Sequence, residues 1–287
     1  MSGILYLCAT PIGNLEDLTF RALRILREVD LIAAEDTRQT SKLLNHYQIS
    51  VPLTSYHRYN EKTKGEKLLA LLDQGKKIAL VSDAGTPGIS DPGSHLVAQA
   101  LAAGHRVIPV PGPTALIAAL TVSGLDTRRF AFEGFLPRTK KDRLAFLAGL
   151  QEEERTLIFY EAPHRLKATL EALEQLFPRR KLAVARELTK KFEEVLRGTP
   201  GQLLAHFRQI EPQGEITIVM EGCRADDCPK KAGGTKEEDP WPLIRELKDK
   251  GLRTGEIARE VSRLLGISKR EAYRLALQLE KKKNIPH

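Results

Sequence analysis

The segment Ile78–Gly93, IALVSDAGTPGISDPG, joins an apolar run to a loop rich in glycine and proline. Its first residues, Ile78–Ser82, form a short apolar, β-branched run that predicts a buried strand. The segment that follows, Asp83–Gly93, is dense in glycine and proline and is long for a simple connecting turn. Open α/β sheets bind ligands outside the carboxyl ends of their strands. We therefore predict a ligand-binding loop here, with exposed amides for a ligand carboxylate and Asp83 as a hydrogen-bond acceptor.

Strand and helix patterns alternate on both sides of this loop. Further buried strands are predicted at Ile4–Cys8, Val107–Val110, Thr156–Tyr160, Leu182–Ala185 and Glu215–Met220. Amphipathic helices are predicted at Leu18–Val29, Glu66–Leu72, Leu96–Ala103, Ala115–Val122 and Leu166–Leu176. Alternation of this kind, with continuous apolar strands, predicts an α/β protein whose sheet is largely parallel and covered on both faces.

Two other predicted strands also end in loops rich in glycine and proline. Ile4–Cys8 runs into ATPIGNL at 9–15, and Val107–Val110 runs into PGPTA at 111–115, which opens a helix. The chain has no phosphate-binding P-loop, no G-x-G-x-x-G after its first strand and no G-x-S-x-G nucleophile elbow. ATP hydrolysis and serine-hydrolase chemistry are therefore not predicted.

Composition describes an ordinary globular chain with an uneven distribution of charge. The 287 residues carry a formal net charge of +8, and no apolar run is long enough for a membrane span. Basic residues concentrate in 128–143 and 245–287, which suits a polyanion such as nucleic acid; a solvated charged face is the alternative. The Cys223–Cys228 pair lacks the additional ligands of a zinc site, so no metal is predicted.

The changes in composition divide the chain into four parts. An N-terminal α/β domain is predicted over 1–115, a second α/β domain over 116–222, a polar linker over 223–239 and a basic helical domain over 240–287. The last part contains three short helical patterns and resembles a helix-turn-helix module that binds RNA. A helical bundle used for protein contacts is the alternative.

Eight segments, in fixed order, resemble the tetrapyrrole methylase superfamily, and more closely its ribosomal RNA branch. They are YLCATPIGNLEDLT at 6–19, AEDTR at 34–38, SDAGTPGISDPG at 82–93, VPGPTALIAALTVSGL at 110–125, GFLPR at 134–138, IFYEAPHR at 158–165, ARELTK at 185–190 and GEITIVMEG at 214–222. The resemblance covers about 1–222, and the helical tail of the family matches 240–283. The first loop lacks the usual G-x-G-P-G-D, a departure typical of the RNA branch.

The resemblance implies two α/β domains around a cleft that binds S-adenosyl-L-methionine without a metal. The cofactor contacts that it implies are Pro11, Gly13, Asp83, Ala84, Gly85, Pro87, Ile89, Thr114, Ala115, Tyr160, Leu188 and Ile216. For Tyr160 and Ile216, ordinary core packing is the alternative.

The resemblance also implies an activity, namely methylation of the ribose 2′-hydroxyl of a cytidine in the decoding region of 16S ribosomal RNA. The implied partner is the small ribosomal subunit, and the implied assembly is a homodimer. The cytoplasmic location is predicted from the cysteines, whose placement fits a reducing compartment. Such a hydroxyl is a weak nucleophile, so a base or a hydrogen-bond acceptor should lie near it.

The matching motifs offer polar side chains for these roles, with structural salt bridges as the alternative for the whole set. Candidates for the base are Asp36, Glu187 and, if desolvation lowers its pKa, Lys190, with Glu35 in the same motif as Asp36. Candidates for RNA contacts are Arg38, Arg138, Lys141, His164, Arg165, Arg263, Lys269, Arg270 and Arg274.

Two other functions fit parts of the sequence. A tetrapyrrole C-methyltransferase acting on a precorrin or uroporphyrinogen would share the fold and the cofactor, but the first loop and the tail disfavour it. A ligand-sensing regulator would use the tail to bind nucleic acid, but would not require the cofactor loops.

Overall fold

Strands and helices alternate through most of the computed structural model, which describes residues 2–224, 240–265 and 272–277. The strands are β1 Ile4–Cys8, β2 Leu31–Ala34, β3 Leu53–Ser55, β4 Lys77–Val81, β5 Arg106–Val110, β6 Phe130–Phe135, β7 Thr156–Glu161, β8 Leu182–Arg186, β9 Glu194–Gly198 and β10 Ile216–Met220. The helices are α1 Phe20–Glu28, α2 Thr37–His46, α3 Glu61–Asp73, α4 Ser94–Ala102, α5 Ala115–Val122, α6 Lys140–Ala148, α7 Pro163–Leu176, α8 Pro200–Gln209, α9 Pro240–Asp249 and α10 Thr254–Leu265.

The first sheet is parallel and covered on both faces, as predicted. Its strand order is β3-β2-β4-β1-β5, and all of its pairings are parallel. Successive residues of β4 alternate between two cores, because Ile78 and Leu80 pack with α3 and α4 whereas Ala79 and Val81 pack with α1 and α2. This arrangement places the carboxyl ends of β1, β2, β4 and β5 at one edge of the sheet.

The second sheet is mixed, and the prediction of largely parallel pairing is wrong for it. Its strand order is β6-β7-β10-β8-β9; only β6 and β7 pair in parallel, and β10 is antiparallel to both of its neighbours. Every residue of β10 is buried. A strand buried on both faces reads as a continuous apolar run whatever its direction, so the sequence pattern carried no information on the pairing.

Helix α5 packs on the second sheet rather than on the first. Its residues Leu116, Ala119 and Leu120 form a core with Ile158 of β7 and Val219 of β10. Residues up to Arg224 form one compact unit that contains both sheets. The two-sheet α/β fold is therefore confirmed, and the boundary drawn between 115 and 116 stays a prediction.

The C-terminal unit is helical, as predicted. Ile244 of α9, Ile257 and Val261 of α10, and Ala272 and Ala276 of the helical segment 272–277 form its small core. Residues 266–271, which would form the turn of a helix-turn-helix, lie outside the described residues, as do the linker residues 225–239. Within the described parts of the chain, no helix is long and apolar enough to cross a membrane.

Candidate active site

Hydrogen bonds between the first loop and the loop after β4 fix the base of the site. The amide of Thr10 donates to the carbonyl of Gly85 at 2.9 Å, and the amide of Gly85 donates back at 3.0 Å. The Thr10 hydroxyl donates to the Ser82 carbonyl at 3.1 Å. Gly85 has a φ of +78°, which an L-residue adopts only with strain. Both predicted ligand loops are thus joined at the edge of the first sheet.

A cavity of about 340 Å³ opens beside this junction and draws its walls from both sheets. Its lining residues are Ile12, Ala84, Gly85, Thr86, Ile89, Ser90, Asp91, Thr114, Ala115, Phe135, Tyr160, Glu161, Ala162, Pro163, Gly214, Glu215, Ile216 and Thr217. The volume lies within the range of small-molecule sites, and the walls are mostly apolar with a few polar groups.

More than half of the predicted cofactor residues line this cavity: Ala84, Gly85, Ile89, Thr114, Ala115, Tyr160 and Ile216. The others, Pro11, Gly13, Asp83, Pro87 and Leu188, do not belong to its lining. In the first loop, Ile12 lines the cavity, whereas the predicted residues Pro11 and Gly13 do not. The residues that sequence reasoning missed come mainly from the ends of β6, β7 and β10.

The predicted residues outside the lining have other contacts. Gly13 lies against the 188–190 turn, so closely that a Cβ on it would stand 2.4 Å from Cγ of Lys190. Leu188 packs against the core beneath α5. The carboxylate of Asp83 turns toward β2 and accepts the Asp36 amide at 2.8 Å. These residues support the loops that form the cavity.

Tyr160 connects the second sheet to the start of α5. Burial raises the pKa of its phenol, against the effect of hydrogen bonds with the backbone of Leu116 and the side chain of Thr114. Since Tyr160, Thr114 and Ala115 all line the cavity, these bonds hold one wall of it in place.

Two carboxylates near the cavity have raised pKa values. Burial and, to a lesser extent, the charge of Asp83 raise the pKa of Asp91 to about 6, although a hydrogen bond with Ser82 opposes the shift. Burial and the charges of Asp91 and Asp83 raise the pKa of Glu35 to about 7. A hydrogen bond with the Asp83 amide and the charge of Arg58 oppose this shift. Asp91 lines the cavity, and Glu35 belongs to the same electrostatic cluster.

The two carboxylates predicted as candidates for the base, Asp36 and Glu187, have pKa values shifted the other way. Hydrogen bonds from Arg38 lower the pKa of Asp36 to about 2, and Asp36 also caps α2. Burial favours a higher pKa for Glu187, but the Lys190 ammonium and the Glu215 amide lower it overall. Asp36, Glu187 and the third candidate, Lys190, do not line the cavity.

The prediction for Lys190 needs a correction. Burial alone would lower its pKa, but ion pairs with Glu187 at 3.0 Å and Glu215 at 3.3 Å raise it. A neutral lysine base requires the opposite shift. Lys190 instead joins the 187–190 turn to the start of β10.

A basic groove of about 940 Å³ adjoins the cavity. Its lining residues are Arg58, Ser90, Phe135, Leu136, Pro137, Arg138, Ala162, His164 and Arg165. Ser90, Phe135 and Ala162 line the cavity as well, so the two spaces are continuous. Arg138 and His164 were predicted as RNA contacts, whereas Arg58, which follows the short edge strand β3, was missed.

Arg165 lies in the groove wall, and two of its nitrogen atoms contact the protein. Its Nε lies 3.1 Å from the fully buried carboxylate of Glu161, and its Nη2 donates to the carbonyls of Leu136 and Pro137. These contacts position the 136–138 segment, and the contact between Arg165 and RNA stays a prediction. Arg38 and Lys141 do not line the groove, and Arg38 forms an ion pair with Asp36 at 2.6 Å.

The remaining predicted RNA contacts lie in the C-terminal unit. Arg263 forms an ion pair with Glu260 at 2.7 Å, and Arg274 lies in the helical segment 272–277. Lys269 and Arg270 lie outside the described residues, as does Cys228. The described residues contain no group of histidine, cysteine and carboxylate side chains suited to a metal ion.

Comparisons with known proteins agree with this geometry. The family model of the tetrapyrrole (corrin/porphyrin) methylases matches residues 5–204. The chain is 51% identical over 279 residues to ribosomal RNA small subunit methyltransferase I of Synechocystis sp., covering 97% of this chain and 99% of the relative. The protein of the same name from Thermotoga maritima is 49% identical over 220 residues, which are 99% of its length but 77% of this chain.

A solved structure extends the likeness at the level of the fold. Uroporphyrin-III C-methyltransferase from Thermus thermophilus, complexed with S-adenosyl homocysteine, superposes with a TM-score of 0.55 at 21% identity. The match covers 76% of this chain and 97% of that one.

Proposed function

This chain belongs to the tetrapyrrole methylase family, alongside relatives named ribosomal RNA small subunit methyltransferase I, and from this premise we propose its reaction. It transfers the methyl group of S-adenosyl-L-methionine to the ribose 2′-hydroxyl of a cytidine in the decoding region of 16S ribosomal RNA. Its partner is the small ribosomal subunit. We further propose that it acts in the cytoplasm as a homodimer.

One observation carries this proposal: a cavity of cofactor size opens directly into a basic groove. Arg58, Arg138 and His164 line the groove, and cationic side chains are the usual contacts for RNA phosphates. The charged residues of the cavity are all acidic: Asp91, Glu161 and Glu215. The two spaces therefore suit ligands of opposite charge, a sulfonium cofactor in the cavity and a polyanion in the groove.

The residues of the cavity fit the proposed cofactor. Ile12, Ala115 and Ile216 supply apolar walls for the adenosine, and the Glu215 carboxylate can accept a hydrogen bond from the ammonium group of the cofactor. At Gly85 a Cβ would extend to within 3.4 Å of Ile12 Cγ2, toward the lining, so the absent side chain leaves room for a ligand.

In the proposed reaction, the protein orients the two reactants and accepts the proton of the ribose hydroxyl. When bound, the cofactor supplies an electrophilic methyl group on sulfur. The ribose oxygen forms a bond to that methyl carbon as the carbon–sulfur bond breaks, and the bonding pair remains on sulfur. The hydroxyl proton needs an acceptor, and holding the reactants in line contributes much of the rate.

Asp91 is our candidate for the proton acceptor. It lines the cavity next to Ser90, which lines both the cavity and the groove. With a pKa of about 6 it is ionised at neutral pH, yet it is a stronger base than an ordinary aspartate. After transfer, the protonated carboxyl group returns its proton to solvent.

A transfer assay tests the proposed function against its main rival. Labelled S-adenosyl-L-methionine is offered with small ribosomal subunits from cells that lack the chromosomal gene for this protein, and separately with DNA and uroporphyrinogen. We expect label in the ribosomal RNA only, recovered as 2′-O-methylcytidine after digestion. Label in uroporphyrinogen and none in RNA would assign a tetrapyrrole methyltransferase instead.

A further inference from the structure

An irregularity in β6 changes the direction of one aromatic side chain. Phe132 pairs with Ile158 and Gly134 with Phe159 of β7, so Glu133 is an extra residue in β6. Gly134 has a φ of +66°, which glycine adopts without a steric cost. Bulges of this kind re-aim side chains and are frequent next to active sites.

The bulge puts two phenylalanines on the same face of the sheet. Phe132 and Phe135 are three positions apart, so in a regular strand they would point to opposite faces. Here both contact Tyr160, with ring centroids 4.8 Å and 5.7 Å from the Tyr160 ring. Phe132 packs in the core beneath α5, whereas Phe135 reaches the mouth of the cavity.

The position of Phe135 is unusual for a large apolar side chain. It is 55% exposed, and it lines both the cavity and the basic groove. The edge-to-face contact with Tyr160 holds its ring, so little side-chain freedom remains to be lost when a ligand stacks on it. The structure thus presents an ordered aromatic surface at the junction of the two spaces.

We propose that Phe135 is the platform on which the base of the target nucleotide stacks. Proteins read single-stranded RNA by stacking unpaired bases on aromatic rings beside cationic side chains. Arg58 and Arg138 are the cations available in this groove. A base stacked on Phe135 brings its own ribose to the side of the groove where Ser90 and Asp91 begin the cavity wall. The inference rests on the proposed function, because it assumes an RNA substrate.

The competing occupant of Phe135 is the adenine of the cofactor. Ile216 is buried and Ala115 half-buried in the cavity wall, whereas Phe135 is exposed and shared with the groove. This difference in exposure favours the RNA base over the adenine. The two occupants predict different changes in ligand affinity when the ring is removed.

The experiment compares Phe135→Leu and Phe135→Trp with Phe130→Leu. Phe130 is in the same strand and is also partly exposed, at 37%, but it lines neither space. For each variant, the Kd for S-adenosylhomocysteine is measured by calorimetry, and the KM and kcat for unmethylated small subunits are measured by methyl transfer. Circular dichroism and thermal unfolding check that each variant is folded.

We expect Phe135→Leu to raise the KM for subunits about tenfold to a hundredfold, as loss of one stacked base does. Its Kd for S-adenosylhomocysteine should stay within about twofold of wild type, because the inference assigns the ring to the RNA base and not to the adenine. Phe135→Trp should restore the KM, and Phe130→Leu should behave as wild type.

Three results would overturn the inference. An unchanged KM in Phe135→Leu would remove Phe135 from substrate binding, and a matching loss of S-adenosylhomocysteine affinity would assign the ring to the cofactor. A Phe130→Leu variant as impaired as Phe135→Leu would indicate general damage to β6. If wild-type protein fails to methylate subunits at all, the proposed function itself fails, a result distinct from these.

Discussion

Gly85 and Gly104 have almost the same φ angle but different surroundings. Their φ angles are +78° and +77°, so any other residue is strained at both positions, by roughly 1–2 kcal/mol. A Cβ on Gly85 would approach Ile12 and Thr114 of the cavity, whereas a Cβ on Gly104 meets nothing within 4 Å. This pair separates the effect of strain from the effect of filling the cavity.

We predict that Gly85→Leu abolishes cofactor binding and that Gly104→Leu preserves it. Both variants should lose a similar amount of thermal stability, because the backbone strain is shared. Calorimetry with S-adenosylhomocysteine and thermal unfolding provide the two measurements. Normal affinity in Gly85→Leu would show that the loop after β4 is not part of the cofactor site.

Asp91 and Asp36 are two candidate bases whose pKa values are shifted in opposite directions. We predict that Asp91→Asn lowers the single-turnover rate of methyl transfer by about a hundredfold, with little change in the Kd for cofactor. Asp36→Asn, the matched control, should keep most of the rate, because its carboxylate is already paired with Arg38.

The wild-type rate should also fall as the pH falls through about 6, where Asp91 becomes protonated. Burial is the main cause of this raised pKa; a hydrogen bond with Ser82 opposes the shift and the charge of Asp83 adds to it. Loss of rate in Asp36→Asn with a normal rate in Asp91→Asn would contradict the assignment. A cofactor Kd weakened in Asp91→Asn would make Asp91 a binding residue instead.

Glu35 gives a prediction about stability. Its pKa is about 7 in the folded protein against an ordinary value of 4.5, so the folded state binds more protons than the unfolded state between these values. Stability conferred by Glu35 is therefore present at low pH and is lost as the pH rises from 4.5 through 7. Glu35→Gln should remove this loss.

The prediction is checked by thermal unfolding of Glu35→Gln and wild type at pH 4.5 and pH 8. The Tm of the variant, relative to wild type, should be higher at pH 8 than at pH 4.5. An equal difference at both values would show that Glu35 titrates normally in the folded protein.

At the scale of elements, the sequence predicted five interior strands and one edge strand, β5, and missed β2 and the edge strands β3, β6 and β9. The continuous apolar runs of β1, β4, β7, β8 and β10 stand out because both faces of these strands are covered. β3, β6 and β9 form sheet edges and are only partly buried, so their patterns are weaker. β2 is interior, but its LIAA sequence is short and rich in alanine, which has low β-propensity.

The part of the site that lies in local loops was predicted from the sequence, whereas the part that depends on strand pairing was not. The loops after β4 and β5 are local in sequence, and their glycines and prolines identify them directly. Phe135, Glu161 and Gly214 reach the cavity only through the pairing of β6, β7 and β10, which includes a bulge and two antiparallel neighbours. The pKa shifts of Asp91 and Glu35 depend on desolvation in the folded protein, which a motif does not reveal.

The helical tail gives a prediction at this scale. We expect deletion of 240–287 to weaken binding to small subunits while leaving S-adenosylhomocysteine affinity unchanged, because every cavity residue precedes Arg224. The loss should shrink at high salt, since the segment is basic and phosphate contacts are screened by ions.

Methyl transfer to subunits, measured across a salt series with full-length and truncated protein, checks this prediction. Equal efficiency of the two proteins at every salt concentration would assign the tail to packing or assembly instead of RNA binding.

At the scale of the whole molecule, an acidic cavity lies within a chain of net charge +8. For the proposed RNA substrate, the excess positive charge would act over distances set by ionic screening, and the groove would provide the local contacts. Both sheets contribute to the cavity. The first supplies the loops at 12 and 84–91, and the second supplies Tyr160, Glu215 and Phe135. In the proposed reaction, this arrangement delivers a methyl group to a ribose oxygen.

Removing the 2′-oxygen of the target ribose tests the proposed methyl transfer. The nucleotide methylated by wild-type protein is first mapped, and an RNA substrate is then prepared with a 2′-deoxynucleotide at that position only. Single-turnover transfer of labelled methyl groups is measured for both substrates, together with their binding affinity. We predict that the deoxy substrate binds with similar affinity and accepts no methyl group. Methyl transfer to the base of the deoxy substrate would contradict the account.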